Sequence, residues 1–320
     1  MLVDVHGRRI TYLRLSVTDR CNLRCFYCSR QNAFSWLAPD EILSYEELFE
    51  VVKTAVSLGI ERVRLTGGEP LIRKGLVDFV ARLSTLPLKD IALTTNGVLL
   101  ARYARKLREA GLKRLNVSLD TLREDRFERL CGRPFLKEVL AGIEEALKVG
   151  FYPVKINTVV LRGKNDDELL DLARLAERWP VEVRFIEFMP VGEGAGWGEE
   201  HFLPLEEVKK RLSPLGELKP VERRGGGPAR VFTFPGACGR LGFIGAMSEP
   251  FCKGCNRLRL TPEGRLRPCL FSDQEIDLKV ILRRPHRSEE LVRAFREAVA
   301  HKPVSKHHHS PQRLMRSIGG

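Results

Sequence analysis

Six of the eight cysteines in this 320-residue chain fall into two tight groups, one near each end. Near the start, Cys21, Cys25 and Cys28 form a C-x3-C-x2-C loop. Three thiolates on one short loop can bind three irons of a 4Fe–4S cluster and leave the fourth iron open to a substrate or cofactor. A zinc site would need a fourth ligand close by, and no Cys or His follows within useful range. The loop therefore predicts an iron–sulfur site.

The second group consists of Cys252, Cys255 and Cys269, in the pattern C-x2-C-x13-C. Cys238 lies at the same thirteen-residue interval before Cys252, so four cysteines could also close a tetrahedral zinc site. Tight cysteine groups in a reducing compartment indicate metal sites rather than disulfides. On spacing alone, an iron–sulfur cluster and a zinc ribbon are both consistent with this group.

Basic residues are concentrated in the same part of the chain. Residues 221–320 carry 19 Lys and Arg against 9 Asp and Glu, which accounts for most of the net charge of +13. Arg257 and Arg259 alternate with apolar residues just after the second cysteine pair, which predicts a strand with both guanidiniums on one face. A guanidinium suits phosphate or a carbonyl-rich base. The charge indicates nucleic acid or a nucleotide polyphosphate as ligand, although a solvated basic surface would have the same composition.

Strand-like and helix-like segments alternate between residues 10 and 188. The predicted strands are Ile10–Val17, Glu61–Leu65, Asp90–Thr95, Arg114–Leu119, Pro153–Val160 and Val181–Phe188. The predicted helices, each with one apolar face, are Tyr45–Leu58, Gly75–Leu83, Leu99–Ala110, Leu136–Val149 and Asp167–Arg178. This alternation predicts an α/β fold with a parallel sheet, in which the chemistry gathers at the carboxyl ends of the strands. Six units are too few for a closed eight-fold barrel, so we expect a partial (βα)6 TIM-like barrel with a C-terminal cluster-binding extension.

The sequence pattern changes after residue 220, where a glycine-rich loop, Arg223–Pro228, precedes a short predicted strand, Ala229–Phe234. We therefore predict two regions: a core barrel over residues 5–220 and a C-terminal region over residues 221–320 that carries the second metal site. The last stretch, from His307 to Gly320, has neither a helical nor a strand period and is expected to be a tail.

The composition, with 43% hydrophobic and 30% charged residues, is that of a folded protein. No apolar run approaches the roughly 20 residues that a membrane-spanning helix needs. The first residues lack the basic segment and apolar stretch of a signal peptide. We therefore expect a cytoplasmic protein with no membrane partner.

The first cysteine loop and the second predicted strand together resemble the radical S-adenosylmethionine superfamily. Tyr27 precedes the last cysteine of the loop, and the strand ends in the glycine-rich motif Thr66–Pro70. Gly67 and Gly68 allow close backbone approach, and Glu69 provides an acceptor for an ammonium group. The resemblance implies that the open iron binds S-adenosylmethionine. Reductive cleavage would then give a 5′-deoxyadenosyl radical that abstracts a hydrogen atom from the substrate.

A more specific resemblance, to the GTP 3′,8-cyclase family of molybdenum cofactor biosynthesis, extends over nearly the whole chain. It is carried by Tyr12–Cys21, Arg64–Pro70, Thr94–Gly97, Asn116–Asp120, Val154–Thr158, Arg184–Met189, Cys252–Leu260 and the terminal Gly319-Gly320. The resemblance implies abstraction of the C3′ hydrogen of GTP and closure of C3′ onto C8, giving (8S)-3′,8-cyclo-7,8-dihydroguanosine 5′-triphosphate. It also implies a second 4Fe–4S cluster on Cys252, Cys255 and Cys269 whose open iron faces guanine, with Cys238 a structural thiol.

The resemblance also implies roles for individual residues. Those implied to contact S-adenosylmethionine are Tyr27, Gly67, Gly68, Glu69, Ser118 and Met189. Those implied to contact GTP are Arg14, Arg64, Thr94, Lys155, Arg257, Leu258 and Arg259. The implied catalytic residues are Arg257, Arg259, Gly319 and Gly320. Without the resemblance, Met189 would be interpreted as a core residue and the tail as a frayed terminus.

Two other functions fit parts of the sequence. A radical maturase acting on a peptide would use both metal sites but would not need a triphosphate-binding set of cations. A basic zinc-ribbon RNA-binding protein would account for Cys238 and the C-terminal charge but would leave the first cysteine loop without a role. We therefore expect GTP as substrate, two 4Fe–4S clusters and S-adenosylmethionine as cofactors, and no nucleic acid. An electron donor and a downstream enzyme for the cyclised nucleotide are the expected partners, and a homodimer is left open.

Overall fold

We describe residues 1–28, 36–189, 191, 200–222, 227–285, 287–305 and 315–319 of the chain in a computed structural model. Six parallel strands form the centre of one sheet, and each begins and ends within two residues of its predicted position. They are β1 (Tyr12–Ser16), β2 (Arg62–Thr66), β3 (Asp90–Thr95), β4 (Arg114–Ser118), β5 (Lys155–Val160) and β6 (Glu182–Glu187).

The C-terminal part of the chain adds further strands to the same sheet. These are β7 (Lys219–Pro220), β8 (Arg230–Thr233), β9 (Arg240–Ile244), β10 (Arg257–Leu260), β11 (Arg265–Arg267) and β12 (Ile276–Asp277). β10 pairs in parallel with β1 and β9 pairs in parallel with β6, so the core gains one parallel strand at each edge. The order is β12-β11-β10-β1-β2-β3-β4-β5-β6-β9-β8-β7. Within the described ranges no pairing joins β12 to β7, and the barrel is partial and open, as predicted.

Helices connect the successive parallel strands of the core. They are α1 (Tyr45–Ser57), α2 (Leu76–Ser84), α3 (Leu100–Glu109), α4 (Glu124–Cys131), α5 (Leu136–Lys148), α6 (Leu169–Ala173) and α7 (Leu175–Arg178). The C-terminal part contributes α8 (Leu205–Arg211), α9 (Leu278–Leu282), α10 (Arg287–Ala300) and α11 (Met315–Ile318). α1 begins as its sequence predicts: the Ser44 side chain accepts from Glu47 N at 3.2 Å, and the Glu47 side chain accepts from Ser44 N at 2.7 Å.

The helices of the structure differ from the prediction in two places. The single helix expected over Asp167–Arg178 is two short helices, α6 and α7, which meet at Arg174. The helix α4 was not predicted; in it, charged residues surround a short apolar face of Phe127, Leu130 and Cys131. An eight-residue helix allows only about two turns of periodic signal, so its apolar face is hard to recognise in the sequence.

The expected tail also contains structure. Met315–Ile318 form the short helix α11, and Ile318 is fully buried against Val191 and Leu270. Among the described residues, no helix combines the length and apolar character needed to cross a membrane. The proposed boundary at residue 220 stays a prediction.

Candidate active site

One cavity of about 340 Å³ is enclosed by the strands of the partial barrel. Its lining includes every cysteine of the two sequence groups: Cys21, Cys25, Cys28, Cys252, Cys255 and Cys269. None of the six forms a disulfide, and all are half-buried. Folding therefore brings together two groups that are more than two hundred residues apart in the sequence.

The two groups reach the cavity from opposite ends of the strands. The first loop follows the carboxyl end of β1, whereas Cys252 and Cys255 come just before the amino end of β10. β1 and β10 are parallel, and Tyr12 at the start of β1 pairs with Arg257 at the start of β10. A five-residue strand spans about 15 Å, so roughly this distance separates the two ends of the cavity. The expected position at the carboxyl ends of the strands therefore holds for the first group only.

The first cysteine loop is attached to α4 by its backbone. Arg24 N donates to Cys131 O at 2.8 Å, and Phe26 N donates to Leu130 O at 3.0 Å. Burial raises the pKa of Cys21. A hydrogen bond with Cys131, together with burial, raises the pKa of Cys25. Both thiols therefore favour the protonated form in the metal-free protein, but a bound metal ion deprotonates a coordinating thiol. Three thiols on one loop fit a 4Fe–4S cluster with one open iron.

The glycine motif after β2 packs directly on this loop. Gly68 N donates to Thr18 O and Glu69 N donates to Arg20 O, both at 2.7 Å. A Cβ on Gly68 would lie 2.1 Å from Arg20 O, which is far inside van der Waals contact. The glycine is therefore required for the loops after β1 and β2 to pack together, in addition to any approach to a ligand.

Glu69 is fully buried beneath the cavity lining. Its carboxylate accepts from Leu71 N at 2.9 Å, Thr95 Oγ1 at 2.8 Å and Asn96 N at 2.6 Å. Burial raises the pKa of Glu69 to about 7, although these hydrogen bonds oppose the shift. The side chain holds the loops after β2 and β3 together, and its contact with S-adenosylmethionine stays a prediction.

The wall between the two cysteine groups is strongly cationic. Arg14, Arg64 and Arg259 stand at one level of three neighbouring strands, and Arg257 lies two residues before Arg259 on β10. We call these four residues the arginine wall. Burial lowers the pKa of Arg14, and the charges of Arg259 and Arg64 lower it further. Burial and Arg257 likewise lower the pKa of Arg259 to about 9. An anionic ligand would relieve both effects.

Neighbouring positive charge lowers the pKa of one thiol in the second cysteine group, which favours the thiolate that a metal ion binds. Burial alone would raise the pKa of Cys255, but the charges of Arg257 and Lys302 and hydrogen bonds with Arg257 lower it to about 6. Cys238 lies elsewhere: it is exposed, and its thiol donates to the carbonyls of Ala176 and Glu177 at 3.4 and 3.2 Å. It is absent from the cavity lining, so the structure does not support a four-cysteine zinc site.

The described residues of the tail border the site, and Met315 is part of the cavity lining. Gly319 O accepts from Arg259 Nη1 at 2.6 Å. Gly319 has a φ of +76°, and a Cβ there would lie 2.6 Å from Thr66 Cγ2. The residue thus has a left-handed backbone and close neighbours at the carboxyl ends of β1 and β2, both of which favour glycine. The prediction for Gly320 lies outside the described residues.

Comparisons with known proteins agree with this geometry. The Radical SAM superfamily matches residues 15–176, and the family described as Molybdenum Cofactor Synthesis C matches residues 181–309. A GTP 3′,8-cyclase of Heliobacterium modesticaldum is 49% identical over the whole of both chains. One of Thermodesulfovibrio yellowstonii is 47% identical over 99% of each chain. The chain belongs to the GTP 3′,8-cyclase family.

The fold of this family member is also found among solved structures. Streptococcus suis SuiB bound to S-adenosylmethionine has a TM-score of 0.64 at 14% identity, over 90% of this chain and 68% of that chain. At this identity the likeness shows the fold alone. Membership in a radical S-adenosylmethionine family in turn implies S-adenosylmethionine and an iron–sulfur cluster as cofactors.

Most residues that the GTP 3′,8-cyclase resemblance singled out line the cavity. Besides the six cysteines, these are Arg14, Tyr27, Arg64, Gly67, Gly68, Thr94, Ser118, Met189, Arg257 and Arg259. Glu69, Lys155, Leu258 and Gly319 are buried and are not part of the lining. Lys155 lies beside Glu182 and Asn116 in the sheet, and burial and the charge of Arg184 lower its pKa to about 7.

Several polar residues of the lining were not among the predicted site residues. Arg184 and Asn157 are paired neighbours on β6 and β5, and Arg184 Nε donates to Glu182 Oε1 at 2.5 Å. Asp120 accepts from Tyr27 Oη at 2.5 Å, and burial raises its pKa to about 6. Arg184 could have been found from its position in an apolar strand. Lys302 also lines the cavity but follows α10 without any recognisable pattern.

Proposed function

We propose that this chain is a GTP 3′,8-cyclase, which uses S-adenosylmethionine to join C3′ of the ribose to C8 of guanine in the first step of molybdenum cofactor biosynthesis. The observation that carries the proposal is one cavity with three cysteines at each end and the arginine wall between them. Full-length relatives at 49% and 47% identity bear the name of this activity.

In this proposal Cys21, Cys25 and Cys28 hold a 4Fe–4S cluster whose open iron binds S-adenosylmethionine. When bound, these groups supply a 5′-deoxyadenosyl radical that removes the C3′ hydrogen atom. Their neighbours in the cavity are Tyr27, Gly67, Gly68, Ser118 and Met189. These residues lie in the first loop or at and beyond the carboxyl ends of their strands, which supports their role as S-adenosylmethionine contacts.

Cys252, Cys255 and Cys269 would hold a second 4Fe–4S cluster whose open iron faces guanine. Two observations support a cluster over zinc. The fourth cysteine that a zinc ribbon would need, Cys238, is exposed and engaged with backbone carbonyls. The three remaining thiols leave one coordination position free, as a substrate-binding iron requires.

The arginine wall would bind the triphosphate and orient GTP along the strands. Guanidiniums form charge-assisted, bidentate hydrogen bonds with phosphate, and Thr94 adds a hydroxyl to the same wall. Lys155, buried on β5, interacts electrostatically with Arg64 of the wall and would be protonated next to a bound triphosphate. Leu258, fully buried in the core, would hold Arg257 and Arg259 toward the ligand rather than contact it through its side chain. Fixing both ends of GTP brings C3′ and C8 into register and lowers the entropic part of the barrier.

The tail would complete the site during turnover. Because Gly319 O accepts from Arg259, the chain terminus and the arginine wall are directly connected. Arg257, Arg259 and Gly319 are the catalytic residues of this proposal. Gly320 joins them on sequence resemblance alone.

We further propose an electron donor for the first cluster, a downstream enzyme that receives the cyclised triphosphate, and a cytoplasmic location. None of the eight cysteines forms a disulfide, which is consistent with a reducing compartment.

The proposal is tested by iron, sulfide and zinc content after anaerobic reconstitution. Wild-type protein is compared with the triple variant Cys252→Ser/Cys255→Ser/Cys269→Ser. About eight irons per chain should fall to about four, with no zinc in either protein. About four irons and about one zinc, with the zinc lost in the variant, would contradict the second cluster.

A second experiment measures the turnover of GTP by wild-type protein and by the triple variant. Wild-type protein with S-adenosylmethionine and dithionite should convert GTP to a cyclised triphosphate that retains all three phosphates. The triple variant should still cleave S-adenosylmethionine but should give no cyclised product. Cyclisation by the triple variant at the wild-type rate would show that the second site is not required.

A further inference from the structure

A buried lysine joins the backbones on either side of the second cysteine group. Lys302 is 2% exposed, and its Nζ donates to Arg257 O and to Pro268 O, each at 2.7 Å. Arg257 follows Cys255 by two residues, and Pro268 directly precedes Cys269. One ammonium group therefore connects the chain segments that carry two of the three thiols.

A buried arginine makes the corresponding connection for the third thiol. Arg8 Nη1 donates to Cys252 O at 2.8 Å, and Arg8 Nη2 donates to Pro303 O at 2.6 Å and Lys302 O at 3.3 Å. Asp4 holds the guanidinium in place, with Oδ2 2.5 Å from Arg8 Nε. The N-terminal segment thus reaches both the cysteine loop and the segment that carries Lys302.

The burial of Lys302 and Arg8 has a free-energy cost that must be offset by interactions at this site. Lys302 and Arg8 are both withdrawn from water, and an ammonium ion loses favourable hydration when it is buried. Here the two carbonyls replace part of that hydration, and the Cys255 and Cys269 sulfurs lie close enough to interact electrostatically with Lys302. Thiolates at those positions would supply the negative charge that a buried ammonium needs.

We propose that Asp4, Arg8 and Lys302 form a polar clamp that sets the spacing of Cys252, Cys255 and Cys269 and keeps one positive charge against the second metal site. The three are positioning residues, since they act through the cysteine-bearing backbone. The inference rests on the proposed second cluster.

Two measurable consequences follow. Residues that orient metal ligands from behind typically contribute about 10- to 100-fold to metal retention. Loss of the clamp should therefore release the second cluster faster. A fixed positive charge also stabilises the reduced, more negative state of a cluster, so its removal should shift the reduction potential to more negative values.

The experiment isolates the second cluster in full-length protein that carries Cys21→Ser, Cys25→Ser and Cys28→Ser. Lys302→Met, Lys302→Gln and Lys302→Arg are introduced into this background. Lys53→Met, an exposed lysine on α1, is the control for loss of one charge. The readouts are the rate of iron release to a ferrous chelator and the midpoint potential from an EPR-monitored redox titration, neither of which depends on turnover.

Lys302→Met should release iron at least about tenfold faster than Lys53→Met, with a more negative potential. Lys302→Gln, which is neutral but can still donate to both carbonyls, should retain iron better than Lys302→Met while sharing its potential shift. This variant also serves if Lys302→Met fails to fold. Lys302→Arg should keep the wild-type potential because its charge is preserved.

Three results would overturn the clamp. First, the parent protein with the three N-terminal cysteines replaced could bind about four irons. Lys302→Met or Lys302→Gln in that background could then show the same rate of iron release and the same midpoint potential as Lys53→Met. All substitutions at Lys302 could lower the thermal midpoint and iron retention together without any potential shift, which would show a purely structural role. If the parent binds no cluster, the two-cluster proposal itself fails, and this result is distinguishable from the first two.

Discussion

At the scale of single residues, burial changes what a charged group can do in this cavity. Lys155 is 3% exposed and lies on β5 between Asn116 of β4 and Glu182 of β6. Burial, together with the charge of Arg184, lowers its pKa to about 7, although Glu182 opposes the shift. The lysine therefore gains or loses its proton near neutral pH, whereas an arginine at the same place would stay charged.

This titration predicts that GTP binding is linked to proton uptake. Above about pH 7 the free protein has a neutral Lys155, and a bound triphosphate favours the charged form, so binding must take up a proton. The affinity of wild type for GTP should fall by up to about tenfold per pH unit between about pH 7 and pH 8.5. Anaerobic titration calorimetry at several pH values measures the slope.

The matched variant for this prediction is Lys155→Arg. Its charge is fixed, so it should show only the pH dependence that arises from GTP and from other groups common to both proteins. The difference between the two profiles isolates Lys155. Parallel profiles would exclude proton uptake by this lysine.

At the scale of elements, the first metal site depends on how the loops after β1 and β2 meet. Their contact is made by backbone hydrogen bonds from Gly68 and Glu69 to Thr18 and Arg20, and the buried Glu69 carboxylate extends it to the loop after β3. The cysteine loop begins at the next residue, Cys21. The packing of these three βα loops therefore determines the position of the first thiol.

Substitution of Gly68 by alanine should disrupt this packing. The added Cβ would lie 2.1 Å from Arg20 O, and backbone atoms cannot move aside as a flexible side chain can. We expect Gly68→Ala to lose most of the first cluster, about four of about eight irons. Gly254→Ala is the control, since it adds the same methyl group in the second cysteine loop, where nothing lies within 4 Å. Equal iron content in the two variants would contradict this account.

At the scale of the whole molecule, the C-terminal part of the chain extends the open core barrel at both edges. β9 and β10 extend its two edges, and the terminal helix α11 returns to the cavity. Gly319 then lies against Thr66 of β2 and bonds Arg259 of β10. The tail thus connects the carboxyl end of β2 with Arg259 of the arginine wall.

This arrangement predicts that a small change in the tail affects turnover and leaves the clusters intact. Gly319→Ala forces a side chain into the left-handed backbone region and places its Cβ 2.6 Å from Thr66 Cγ2. GTP turnover should fall at least about tenfold, which corresponds to about 1.4 kcal/mol. Iron content should equal that of wild type.

Gly236→Ala controls for backbone strain alone. Gly236 has a φ of +80°, close to that of Gly319, but nothing lies within 4 Å of its Cβ position. This variant should retain near wild-type turnover. If Gly236→Ala loses as much activity as Gly319→Ala, strain and not the tail contact explains the effect.

The six core strands and the family could be predicted from the sequence alone, and the spacing of the first cysteine loop predicts its chemistry. Each of these depends on contiguous residues: buried parallel strands produce apolar runs, and metal ligands on one loop produce a fixed spacing. The short helix α4 and the division of Asp167–Arg178 into α6 and α7 were not predicted, because their signals extend over too few turns.

The tertiary structure was needed to show that the second cysteine group faces the first across the length of β1 and that β9 and β10 extend the sheet. It also agrees with the expectation that Cys238 lies outside the site. It also revealed the contact of Arg8 with Cys252, which spans 244 residues of sequence, and that of Lys302 with the two strands beside it. Contacts between distant segments leave no period and no spacing in the sequence. They arise when strands pair in a particular register, and that register depends on how the whole core packs.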